Sequence, residues 1–157
     1  MKTTTLFAVL MLSAGLAESA KAEDYEVRRA LHVSAPMSDV WHVVGDFCDV
    51  DDWHPDLSDC ALRVIDGQLH RVLITTDGSE FVERRIAVEA GLSYTYRIVA
   101  SPLPVERYTA TLAIAPDEGA LISWSARFSS EDPAMEAVVG SIFEAGLSAI
   151  ANRFEEE

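Results

Sequence analysis

The sequence predicts an α+β domain in which a curved antiparallel sheet of about seven strands surrounds one long C-terminal helix. Two observations lead there. Residues 133–154 carry an apolar stripe at helical spacing: Met135, Val138, Val139, Ile142, Phe143, Leu147, Ile150 and Phe154. Residues 61–129 read as a run of strands punctuated by glycine, Asp-Gly and proline, with a further strand and a short helix ahead of them.

Residues 1–22 are expected to be a removable export signal. Lys2 gives a short positive start, residues 6–16 (LFAVLMLSAGL) form an apolar run too short to span a bilayer, and Ala20-Lys21-Ala22 supplies small residues for a cut after Ala22. The domain is then residues 23–157, bound for the periplasm or secretion, with no later apolar run of membrane length. Residues 25–33 alternate as a first strand with Val27, Leu31 and Val33 inward. Pro36 suits the first position of a helix whose apolar face is Val40, Trp41, Val43, Val44 and Phe47. Residues 48–60 form an irregular acidic connector, in which Pro55 pushes His54 out of the helical region and keeps any helix short.

The meander follows. Gly67 separates residues 61–66 from 68–76, and Asp77-Gly78 signals a hairpin into residues 81–89. Residues 92–99 come next, and Ser101 to Pro104 (SPLP) breaks the ladder. On the last two strands Tyr108, Ala110, Leu112, Ile114, Ile122, Trp124, Ala126 and Phe128 share one face. Thr109, Thr111, Ser123, Ser125 and Arg127 share the other, so one side of the sheet is wet. Asp132-Pro133 starts the long helix. One helix does not easily cover seven strands, and a sheet curled around it leaves space for a ligand.

Without the leader, ten basic residues, all arginine, face 25 acidic ones, a net charge of −15. A domain without lysine cannot form a Schiff base or use a lysine base. The negative balance argues against nucleic acid and anionic membranes as partners. It serves solubility, or it docks a basic protein.

The stretch FCDVDDWHPDLSDC, residues 47–60, concentrates reactive residue types. Cys48 and Cys60 in an exported chain point to one disulfide, with two reduced thiols as the alternative. His54 sits among Asp46, Asp49, Asp51, Asp52, Asp56 and Asp59, but the EF-hand spacing, HExxH and CxxC are missing, so no metal site is expected. There is no GxSxG elbow, and none of His32, His42, His54 and His70 has a readable nucleophile partner. Arg71 and Glu83 face each other across the Asp77-Gly78 hairpin. They form either a structural cross-strand pair or, inside a pocket, a grip on a carboxylate or enolate. Trp53, Tyr94, Tyr96, Tyr108 and Trp124 line a cavity or fill a core, which in this architecture is the same face.

The strings SAPMSDVWHVVGDF, WHP, GQLHRVLITTDG, FVERR, SYTYRIV, SPLPVERYTATLAI, ISWSARF and IFEAGLSAI run through almost the whole domain. They resemble the START/Bet v 1-like helix-grip superfamily, in particular the bacterial SRPBCC group of polyketide cyclases/dehydrases and lipid transport proteins. The resemblance implies a helix-grip fold with a pocket bounded by Trp53, His54, Arg71, Glu83, Tyr94, Tyr96, Tyr108 and Trp124. It does not choose among carriers, receptors, cyclases and accessory proteins. A cyclase of this kind uses polar pocket groups, here His54, Arg71, Glu83, Tyr96 and Tyr108, with His54 and Glu83 as the catalytic candidates. The leader, the size, WHP and the LPVxxY pattern at Leu103 to Tyr108 are also similar to MxaD-like exported proteins, which implies assisting contact between methanol dehydrogenase and its cytochrome c acceptor. The leading expectation is a non-catalytic, cofactor-free envelope protein that binds a small hydrophobic or amphipathic molecule. The alternatives are a polyketide cyclase/dehydratase and an MxaD-like accessory protein whose acidic surface docks a basic periplasmic partner.

Overall fold

The computed structural model describes residues 21–155; the expected leader lies outside them except for Lys21 and Ala22. The chain runs β1 (Glu23–Val33), α1 (Met37–Val44), α2 (Val50–Trp53), β2 (Leu57–Ile65), β3 (Gln68–Thr75), β4 (Glu80–Glu89), β5 (Ser93–Ala100), β6 (Glu106–Pro116), β7 (Ala120–Ser130) and α3 (Met135–Glu155). The seven strands form one antiparallel sheet in the order β1-β7-β6-β5-β4-β3-β2. β1 and β2 are therefore the edges. The period-2 pattern sets the two faces, and on β6 Tyr108, Ala110, Leu112 and Ile114 are all buried while Thr109 and Thr111 between them are not. The inner face is gripped by α3, the α+β helix-grip architecture expected from the sequence.

Local departures from expectation have local causes. Pro36 stands one position before α1, at φ −58° and ψ 146°, and its carbonyl accepts from the N–H groups of Asp39 (3.0 Å) and Val40 (3.2 Å). That is the work of an N-cap residue rather than of the first helical one. Phe47 lies beyond the end of α1 yet is buried. The connector is shorter than expected. α2 makes one turn, and β2 begins at Leu57 because Ser58 Oγ reaches the Ile74 and Thr75 carbonyls, both at 3.2 Å, across a bulge. Cys60 is thus within β2 rather than at its start. It is bonded to Cys48, and closing a loop of sequence separation 12 stabilises by about 3 kcal/mol on a chain-entropy view. Among the described residues, no helix is long and apolar enough to cross a membrane.

α3 buries Met135, Val139, Phe143, Leu147 and Ile150 at helical intervals. Gly146 lets it approach an aromatic cluster. A Cβ there would stand 2.8 Å from His54 Cδ2, 2.8 Å from Trp124 Cζ3 and 3.1 Å from Trp53 Cζ3. Only a bare backbone fits against these rings. Gly146→Ala, although it favours helix, is expected to destabilise the protein by about 1–3 kcal/mol through overpacking, read as a lower urea midpoint at unchanged m-value.

Candidate functional site

α3 packs against β1 and β7. Between it, α2 and the inner face of the sheet lies a cavity of about 350 Å³. Leu73, Phe81, Ile98, Trp124, Ile142 and Phe143 give it apolar walls. The exposed lining residues Asp56, Thr76, Asp77 and Pro102 mark the end open to solvent. The buried residues Arg71, Glu83, Tyr96 and Tyr108 mark the closed end.

The Asp77-Gly78 hairpin brings Arg71 and Glu83 directly opposite each other on β3 and β4. Arg71 Nε donates to Glu83 Oε2 at 2.7 Å, and Arg71 Nη1 donates to the Phe47 carbonyl at 2.6 Å. The guanidinium carbon also lies 4.3 Å from the centre of the Phe47 ring and 4.8 Å from that of Tyr96. Burial works to discharge Arg71, but the Glu83 carboxylate and the phenols beside it outweigh burial and raise its pKa. Burial is also the main reason that Tyr96 and Tyr108 are held above the usual phenol range. Both rings are therefore hydrogen-bonding phenols at neutral pH. Trp124 Nε1–H donates to the Tyr96 hydroxyl at 3.1 Å, and the Trp124 ring stacks on Phe143 with centroids 4.5 Å apart.

His54 is buried where α2 gives way to β2. Its Nδ1 accepts from the Asp56 N–H at 3.2 Å, so the proton is on Nε2, which donates to the Ile142 carbonyl of α3 at 3.0 Å. Both ring nitrogens are engaged. Burial lowers the His54 pKa and outweighs the opposing effect of the Ile142 bond.

Of the eight expected pocket residues, His54, Arg71, Glu83, Tyr96, Tyr108 and Trp124 reach the cavity wall. Trp53 and Tyr94 do not; they lie behind it, and the indole N–H and the Tyr94 hydroxyl have no hydrogen-bond partner among the described residues. Sequence reasoning missed Phe47, whose contribution is a backbone carbonyl and a ring placed beyond the helix it was assigned to. It also missed Pro102 and Leu103. The SPLP segment breaks the ladder as expected, and an apolar residue between two prolines in a loop is also a signal of a preformed wall. Among the described residues, no group of acidic, histidine or cysteine side chains is arranged to hold a metal ion.

A curved antiparallel sheet gripping one helix over an internal apolar cavity defines a ligand-binding class of fold. The chain belongs to the family described as polyketide cyclase / dehydrase and lipid transport, whose model matches residues 24–155. It is similar to a Thermobifida fusca protein solved by NMR, with 31% identity and a TM-score of 0.73, covering 83% of this chain and 93% of that one. An uncharacterised Bacillus thuringiensis protein is similar at 25% identity and TM-score 0.75, over 83% of this chain and 98% of that one. The Zhui aromatase/cyclase of a Streptomyces species shares the fold, at 16% identity and TM-score 0.69, over 85% and 94%. Among curated proteins nothing matches. The MxaD-like role is not established by these likenesses.

Two outcomes follow from the site's electrostatics. Glu83→Gln leaves a buried guanidinium without its counter-charge and is expected to cost about 3–5 kcal/mol in chemical denaturation, whereas the double variant Arg71→Met/Glu83→Leu loses much less. His54 has a folded pKa below its unfolded value near 6.5, so the unfolded chain takes up the proton first. Its contribution is fully present above about pH 6.5 and is lost as pH falls from there through the lowered pKa, by at most about 1.4 kcal/mol per pH unit. His54→Gln should flatten that part of the stability-against-pH curve; an unchanged slope would show that another group causes it.

Proposed function

We propose that the protein is an exported, non-catalytic binding or accessory protein whose cavity holds a small hydrophobic or amphipathic molecule without a cofactor. The observation that carries this reading is that Arg71, Glu83 and His54, the ionisable groups buried in the wall, are already engaged with the protein. Glu83 and the Phe47 carbonyl hold Arg71, Asp56 and Ile142 hold His54, and Tyr96 takes the Trp124 N–H. What remains for a guest is mainly apolar surface, which supports binding ahead of acid–base work by His54 or Glu83. Export is supported by the leader-like residues 1–22 and by the Cys48–Cys60 bond, which belongs in an oxidising compartment.

The wall also selects by charge. Asp56, Asp77 and Glu83 outnumber Arg71, the cation among the lining side chains, and Glu83 already answers it. A carboxylate guest would meet net negative charge. An uncharged guest with a donor or acceptor head is favoured.

A second reading is a cyclase or dehydratase acting on a polyketide-like substrate. It is supported by the family and by the Tyr96 and Tyr108 phenols at the closed end, which donate rather than abstract protons at neutral pH. In that case Glu83→Gln lowers turnover more than affinity. An MxaD-like accessory role rests on the charge of −15 outside the leader and is a matter of docking rather than of the cavity.

The binding reading is tested by displacement of N-phenyl-1-naphthylamine with 1-dodecanol and with dodecanoate, which differ in charge but hardly in shape. Dodecanol is expected to bind at least tenfold more tightly, and Ile142→Trp, which fills the cavity from a half-buried position on α3, should abolish both. Equal or tighter binding of dodecanoate, or no effect of Ile142→Trp, would refute it.

A further inference from the structure

Strand register draws three arginines and one buried histidine into one line across the outer face of the sheet; the histidine, His70, is 7% exposed, with its Nδ1 2.9 Å from the Gln68 carbonyl. Arg63 on β2 stands opposite His70 on β3, His70 opposite Arg84 on β4, and Arg84 opposite Arg97 on β5. The line continues through Thr109 to Arg127, which is paired with Glu26 at 3.2 Å. Arg63, Arg84 and Arg97 form no ion pair among the described residues. Arg84 Nη1 donates to Gln68 Oε1 at 2.7 Å, while its Nε is buried with no partner among the described residues.

Like charges directly opposite each other destabilise a sheet, and Arg84 faces Arg97. The chain has acidic residues in excess, yet none stands between Arg63 and Arg97; Glu26 enters only at the far end, opposite Arg127. Asp59 and Glu80, both aligned with Ile74 of β3, lie four residues along β2 and β4, roughly 13 Å away. Around the line the half-exposed aliphatic side chains of Ile65 and Val99 reach solvent.

We propose that Arg63, Arg84 and Arg97 form a docking surface for a short acidic segment of a partner protein. Its carboxylates meet the guanidiniums, and its apolar side chains meet Ile65 and Val99. Three inter-strand gaps make the line about 14 Å long, the reach of a few extended residues. The net charge of −15 outside the leader disfavours a membrane plane or a long polyanion, which would meet far more of the chain than this line. The line lies on the opposite side of the sheet from the cavity, so the proposal does not depend on what the cavity holds.

The test is fluorescence anisotropy with a labelled peptide of alternating glutamate and leucine, beside its glutamine/leucine counterpart. The glutamate peptide should bind best near 0.1 M salt, where screening over about 10 Å isolates the line from the acidic body. Binding should weaken at 0.01 M, where repulsion reaches about 30 Å, and vanish at 1 M. Arg63→Glu and Arg97→Glu should each weaken it at least tenfold. Arg28→Glu, an equal charge change on the outer face of β1, should alter it less than twofold. Arg97→Glu places a carboxylate opposite Arg84 and should raise the melting temperature while it loses the peptide, which separates docking from folding. The proposal is overturned by equal binding of the two peptides, by an equal effect of Arg28→Glu, or by intact binding in Arg97→Glu. Tighter binding to phosphatidylglycerol vesicles than to the peptide would also overturn it and assign the line to a lipid surface.

Discussion

A guanidinium at 1% exposure must have its charge answered from inside the protein, and Arg71 draws its partners from three places in the chain. Glu83 comes from β4, the Phe47 carbonyl from the turn after α1, and the flanking ring of Tyr96 from β5. The full set of contacts forms only when the β3–β4 hairpin, the curl of the sheet and the end of α1 are in place together. A buried pair of this kind adds little net stability beyond an apolar pair of similar shape. We read its effect as one of placement: it fixes where the connector meets the sheet, and so where the cavity ends.

The connector is pinned three times more. The Cys48–Cys60 bond ties its start to β2, and His54 ties its middle to the Ile142 carbonyl of α3. Arg153, near the end of α3, also donates to the Asp52 carbonyl. The aspartates between these anchors are held close together. Partial burial, followed by repulsion from Asp46, Asp52 and Asp51, raises the pKa of Asp49. A stretch dense in metal-ligand residue types is thus a braced wall whose acidic groups face water. The cross-links explain why a segment with one helical turn and a proline forms a defined side of a cavity.

Periodicity reveals parity but not depth. The alternation in β6 and β7, the Asp77-Gly78 turn and the stripe of α3 were legible from residues alone, because each is a local pattern with one physical meaning. The facing of Arg71 and Glu83 followed from the turn. Trp53 and Tyr94 were expected at the cavity or in the core as large aromatics, and both are buried in the core away from the cavity wall. Val88, opposite Tyr94, has inward parity but is 50% exposed, because β4 runs on beyond its last pair with β3 at Arg84. The carbonyl of Phe47 has no side-chain signature at all. The line from Arg63 to Arg97 joins residues scattered over four strands and appears only once the registers are known.

Register connects the two charged features. Side chains alternate faces, so placing Arg71 and Glu83 inward places their chain neighbours His70 and Arg84 outward. A slip of one residue between β3 and β4 would turn the buried pair toward solvent and force Arg84 into the core. A slip of two would set Arg71 opposite Phe81 or Arg85, leaving a buried charge unpaired or facing its like. The inner pair thus excludes both wrong registers of the hairpin. The same constraint brings Arg84 into line with Arg63 and Arg97, where the repulsion it creates has no answer within the described chain. The strain of the outer line is therefore a consequence of the order imposed inside, and an acidic partner is the group that would relieve it.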